Sequence, residues 1–129
     1  MLHKDNRLTK VRDFNLLMKH GRWINGQLFN IKVLELAKFV SYFPKKEDPD
    51  NFKKQLRIAV NVSIKVSKSA VKRNRVKRQT SEVIRLLLKA NTIKSGYYLL
   101  VNAKNEALEK NYAEISEEIQ LLFKKAGVI

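Results

Sequence analysis

The chain has 129 residues, the size of one ordinary domain, and 44% of them are hydrophobic, enough to bury a core and too many for a disordered polymer. Lysine and arginine total 27 against 12 acids, a formal net charge of +15 whose self-repulsion opposes compaction and is explained most simply by a polyanionic partner. There is no cysteine, which excludes disulfides, thiolate catalysis and a zinc knuckle. No apolar stretch approaches the ~20 residues of a membrane span, and the charged amino-terminal segment lacks the apolar centre of a secretory signal. A cytoplasmic nucleic-acid-binding protein fits these limits; a membrane protein does not.

Residues 9–20 read as a first helix. Val11, Phe14 and Met18 recur at spacings of three and four with Leu17 beside them, Thr9 suits the N-cap and Gly21 the C′ position. Val11 is assigned to the core and Asp13 to the surface. Residues 27–37 read as a strand with Phe29, Ile31 and Val33 on one face and Leu28, Asn30, Lys32 and Leu34 on the other, a mixed face that implies contact with solvent or ligand. Residues 38–54, with Pro44 and Pro49, read as a surface loop. Residues 55–63 are the clearest strand, with Ile58, Val60 and Val62 aligned. Ser67 or Ser69 then caps a helix of about twenty residues. Gly96 opens a strand over Tyr97–Asn102 that is apolar almost throughout and therefore central. A last helix from Leu108 to Ala126 carries Leu108, Tyr112, Ile115, Ile119 and Leu122 on one stripe, acids at its start and Lys124 and Lys125 at its end, as the helix dipole favours. The order α-β-β-α-β-α, with room for an extra short strand, predicts a single-domain α+β sandwich over 1–129: a mixed sheet of about four strands covered by helices.

The charge is segregated. From Asn51 to Ser81 there is no acid, yet the segment holds ten cations, while acids collect between Glu106 and Glu118. In the long helix, Val76, Thr80, Val83 and Leu87, widened by Ile84 and Leu86, form a stripe able to pack on a sheet. In its first two turns Lys72, Arg73, Arg75, Lys77 and Arg78 almost encircle the axis and cannot be buried without anions. The helix therefore protrudes at its start. There the free N–H groups and the planar arginine forks favour phosphate. A solvated, self-paired helix face would need more acids than Glu82, the one acid within reach.

No protein catalytic set is legible. His3 lies near the terminus and His20 at a helix end, the Glu114–Glu118 group has no histidine partner and reads as a solvated face, and there is no glycine-rich phosphate loop. Neither catalytic nor metal-ligating residues are assigned.

The segment Ser69-Ala70-Val71-Lys72-Arg73-Asn74-Arg75-Val76-Lys77-Arg78 resembles the signature of the bacterial ribonuclease P protein family. Matches in the same order are Arg12-Asp13-Phe14 with Lys19-His20-Gly21, Asn25-Gly26-Gln27, the strand Leu56–Ser63, and Leu122-Phe123-Lys124-Lys125-Ala126-Gly127; only the 38–54 loop lies outside the likeness. The resemblance implies an α-β sandwich with a left-handed crossover. It implies an accessory subunit of an endoribonuclease whose RNA subunit performs magnesium-dependent hydrolysis, removing the 5′ leader of precursor tRNA. Magnesium then belongs to the holoenzyme and is held mainly by RNA. The partners are that RNA and precursor tRNA, with no protein partner implied. Carried over position by position, Lys72, Arg73, Asn74, Arg75, Lys77 and Arg78 face RNA, joined by Lys65 and Lys68 in place of the lysine pair that precedes the signature. The leader cleft falls on Phe14, Met18, Ile31 and Lys65. Met18 and Ile31 stand where the family has aromatics, so the cleft has less stacking surface; each stacked base is worth ~1–3 kcal/mol. Phe29 and Tyr98 are candidates to supply the missing rings. A ribosomal or double-stranded-RNA-binding domain also places cations at a helix start, but is usually smaller and leaves the flanking matches unexplained. A DNA-binding regulator is disfavoured because strands separate the helices.

Overall fold

The computed structural model describes residues 6–38 and 55–129. Apart from Lys38, the expected loop at 38–54 lies outside these residues. The chain forms α1 (Val11–His20), β1 (Arg22–Asn25), β2 (Phe29–Glu35), a 3₁₀ turn (Leu36–Lys38), β3 (Leu56–Asn61), α2 (Ala70–Lys89), β4 (Tyr97–Ala103), a second 3₁₀ turn (Asn105–Glu109) and α3 (Tyr112–Ala126). The sheet order is β1-β2-β4-β3. β1 and β2 pair antiparallel, as do β2 and β4, while β3 runs parallel to β4. The sheet is thus mixed, β4 is central, and β1 is the extra strand. Helix α2 makes the crossover between the parallel neighbours β3 and β4, the unit to which the resemblance attaches a left-handed sense.

Alternation along the strands gives the sheet two different faces. Phe29, Ile31, Val33, Ile58, Leu99 and Val101 meet Val76, Val83 and Ile84 of α2 and Ile115, Ile119 and Phe123 of α3 in the larger core. On the other face Leu34, Tyr98 and Leu100 pack with Leu8, Leu17 and Leu36, joined by the half-buried Phe14, Leu16 and Ala59. Two helices cover one face fully; the single helix α1 covers the other in part. That asymmetry positions the site.

Local chemistry explains the element ends, and several differ from expectation. Ser69 accepts from the Lys72 N–H at 3.4 Å and starts α2. Asn111 does the same for α3, accepting from the Glu114 N–H at 2.9 Å, so that helix begins after Leu108, which sits in the preceding turn. Helix α1 starts from Lys10 with no side-chain cap; Thr9 lies one residue too early. Gly21 is extended (φ −69°), not left-handed. A side chain is excluded there because a Cβ would stand 2.5 Å from the Leu17 carbonyl and 2.9 Å from Lys32 Cγ. Leu86 is exposed and leaves the α2 stripe.

Two acids assigned to the surface are structural. Asp13 is 1% exposed beneath α1 and accepts from Arg12 Nε at 3.3 Å. Burial, and then the Asp13 carboxylate beside it, push the Tyr98 phenol above its ordinary range. Glu118 is not part of a solvated face: its carboxylate accepts from the N–H groups of Gln27 at 3.0 Å, of Phe29 at 2.9 Å and of Leu28, closing the β1–β2 turn.

Candidate nucleic-acid interface

The opening turns of α2 project beyond the core. Ala70, Val71, Lys72, Asn74, Lys77 and Arg78 are exposed, and burial of the helix begins at Val76. Lys65 and Lys68 are exposed on the preceding segment. Asn74, Lys77 and Arg78 stand over a groove of about 1040 Å³ whose other wall is Ile58, Ala59 and Val60 of β3. Among the described residues, none of these cations forms an ion pair with a carboxylate. Glu82 is spent on Arg85, accepting at 2.6 Å and 2.9 Å. That pair holds Glu82 below the usual carboxylate range, first through the hydrogen bond, and leaves Arg78 outside it.

Arg73 and Arg75 behave differently from their neighbours. Both are half-buried. Arg73 Nη1 donates to the Ser67 carbonyl at 2.7 Å. Arg75 Nη1 donates to the Lys110 carbonyl at 3.5 Å and Nη2 to that of Leu108, tying α2 to the turn before α3. A carbonyl orients a guanidinium but does not cancel its charge. The two arginines therefore brace the prong and still contribute to its positive field, with several N–H groups left over.

The sheet face beside α1 is the second exposed region. Of the stripe of Val11, Phe14 and Met18, only the half-buried Phe14 packs against the smaller core. The buried side of α1 is Asp13 and Leu17, while Val11 is 73% and Met18 44% exposed. Val11 is thus not a core residue. Trp23 of β1 is 45% exposed on this same sheet face, opposite Lys32 in the β1–β2 register. The Lys32 ammonium, nearly buried, donates to the Met18 carbonyl at 2.5 Å and lies 5.2 Å from the Trp23 ring centre. The negative end of α1 and the ring face together hold this cation.

A sequence model described as Ribonuclease P matches residues 2–127. The ribonuclease P protein component of a Cyanothece species is 31% identical over all of this chain and 98% of its own length, and that of Clostridium botulinum is 34% identical over 97% of both. The chain belongs to the bacterial ribonuclease P protein family. The fold agrees: the ribonuclease P protein of Staphylococcus aureus superposes with a TM-score of 0.73 over 97% of this chain and 98% of its own, at 22% identity. That of Thermotoga maritima superposes at 0.65 over 92% and 96%, at 21% identity. Membership makes this chain a component of an endoribonuclease that works with an RNA partner.

Within the ribonuclease P frame, the structure sorts the expected cleft residues. Phe14 and Met18 line the partly covered face, and Lys65 follows β3 just beyond it. Ile31 does not belong: it is 0% exposed, on the opposite face, in the core under α2 and α3. Strand alternation decides this, since the side chain that faces α1 is its neighbour Lys32. Phe29 and Tyr98 are also fully buried and supply no stacking surface. The aromatic that does is Trp23. Sequence reasoning misses it, because it allows for an extra short strand without assigning residues to one. The pairing of Gly21-Arg22-Trp23 with the next strand through a tight Asn25-Gly26-Gln27 turn is the signal that could have found it. Among the described residues no three His, Cys, Asp or Glu side chains converge as metal ligands. None of the described helices is long and apolar enough to cross a membrane.

Proposed function

We propose that this chain is the protein subunit of ribonuclease P, gripping the catalytic RNA through α2 and holding the 5′ leader of precursor tRNA on the sheet face beside α1. Cleavage is then magnesium-dependent hydrolysis by the RNA in the cytoplasm, and the protein raises affinity for substrate. The observation that carries this reading is the set of exposed cations on and before α2, Lys65, Lys68, Lys72, Lys77 and Arg78, which have no carboxylate partner among the described residues. Such cations displace condensed counterions from a polyphosphate, which is the main source of affinity for nucleic acid. The second face suits single-stranded RNA, whose unstacked bases lie on aromatic and apolar side chains such as Phe14, Met18 and Trp23. Arg75 ties the prong to the turn before α3, and Arg73 ties it to Ser67 on the segment that leads into α2. Reconstitution tests the reading: at low magnesium the chain should stimulate leader removal by the RNA subunit and cleave nothing alone. Cleavage by protein alone, or no stimulation, would contradict it.

A further inference from the structure

Each of the four strands carries one asparagine, and the register places all four in a single row. Asn25 pairs with Asn30, Asn30 with Asn102, and Asn102 with Asn61. Register partners project to the same side, and this row lies on the α1 face, one step beyond Trp23, Lys32, Leu100 and Ala59. Asn25 and Asn61 are exposed; Asn30 and Asn102 are half-buried. Asparagine is disfavoured in strands, so four in one row work against the local preference of the sheet. Breaches of that kind concentrate where a surface has a task other than stability.

The row is also incompletely satisfied by itself. Asn61 Nδ2 donates to Asn102 Oδ1 at 2.9 Å. This leaves Asn61 its Oδ1 acceptor and a second Nδ2 donor, and leaves Asn102 both Nδ2 donors and one Oδ1 lone pair; flipping both amides exchanges the two complements. The Gly26 N–H donates to Asn30 Oδ1 at 3.4 Å, which frees its amino group. An adjacent donor and acceptor match the hydrogen-bonding edge of an unpaired base. Four strands at the usual spacing give a row of roughly 14 Å. A four-stranded RNA-binding sheet of that span accommodates about two or three bases. At the Asn61 end the chain continues directly to Lys65, Lys68 and the start of α2.

We infer that this asparagine row reads base edges in the single-stranded leader and makes its binding depend on base identity. The inference rests on the proposal that the leader lies on this face. The occupant is unpaired RNA: a duplex hides its base edges, whereas a leader exposes them beside the stacking surface of Trp23 and Met18.

The test uses the full chain assembled with the RNA subunit, and precursor tRNAs whose leader carries each of the four bases or an abasic nucleotide at one position at a time. At one or two positions the dissociation constant should spread about tenfold between best and worst base, the worth of one or two hydrogen bonds. Asn61→Ala, at an exposed position, and Asn102→Ala should each shrink that spread to about twofold or less. A merely structural role would weaken all leaders equally and keep the spread. No spread with the native chain, or a spread untouched by Asn61→Ala, overturns the inference. Should leader-bearing and leaderless substrates bind the native assembly equally, the leader is not held on this face and the proposed function fails as well. A leader that adds affinity without base dependence sinks the inference alone.

Discussion

The opening turns of α2 and the sheet face beside α1 are both exposed, but they are built from opposite materials. The prong is a set of cations without carboxylate partners among the described residues. The sheet face is an apolar and amide surface, Phe14, Met18, Trp23 and the asparagine row, beside which Lys32 is already bound to a carbonyl and a ring and Arg57 to the Arg7 carbonyl and the Gln55 amide oxygen. The difference teaches which partner property each region can sense. A cationic prong senses phosphate density and is weakened by salt; a stacking surface senses unpaired bases and is not. A protein that binds one folded RNA and one flexible strand needs both.

Substitutions can break this division. The largest effect belongs to the prong: Lys77→Ala with Arg78→Ala should lower affinity for the RNA subunit about a hundredfold at low salt, since each removes a charge-assisted hydrogen bond to phosphate. Both residues are exposed, so the melting temperature should stay within about a degree or two, as is usual for surface changes. Arg75→Ala sharpens the contrast within α2 itself. It removes the brace to the Leu108 and Lys110 carbonyls and should destabilise the fold by roughly 1.5–3 kcal/mol, read by denaturant titration, besides weakening RNA binding. On the other face Trp23→Ala should cost about tenfold in leader affinity, with Trp23→Phe retaining most of it. Because Trp23 is the only tryptophan, quenching of its fluorescence by a single-stranded leader reads the contact directly.

The smallest expected effect is a pH dependence beneath α1. The Tyr98 phenol is raised above its ordinary value of 10.0, so the folded state holds this proton more tightly than the unfolded chain does. The stabilisation is complete below the unfolded value and is lost as pH rises from there toward the folded one. Stability of the native chain should therefore fall above about pH 10, and Tyr98→Phe should flatten that decline, by chemical denaturation across the alkaline range.

Much of the molecule is legible in the sequence because the signals are periodic or charged. The strand Leu56–Asn61, the central Tyr97–Ala103 and the helix Ala70–Lys89 follow from alternation, continuous apolarity and a serine cap. The prong follows from an acid-free run. What escapes depends on tertiary placement. The apolar stripe of α1 is visible, but only the packed structure shows that Asp13 and Leu17 are its buried residues and that Val11 and Met18 are exposed. Ile31 and Lys32 are neighbours in sequence, and a one-residue error in register moves a side chain to the other face of the sheet. The asparagine row cannot be seen at all without strand register, since its members are far apart in the chain. Arg73 and Arg75 look like Lys77 and Arg78 in sequence; the carbonyl partners of Arg75 lie on the turn before α3, whose approach no local pattern encodes.

The most direct test of the two-surface account is the salt dependence of binding to the RNA subunit and precursor tRNA, measured for the native chain, the Lys77→Ala/Arg78→Ala pair and Trp23→Ala. The account predicts that the pair flattens the logarithmic slope by about 0.7–0.9 for each phosphate no longer neutralised, while Trp23→Ala lowers affinity along a line parallel to the native one. Slopes that remain parallel for the charge variants, or flatten equally for Trp23→Ala, would contradict it.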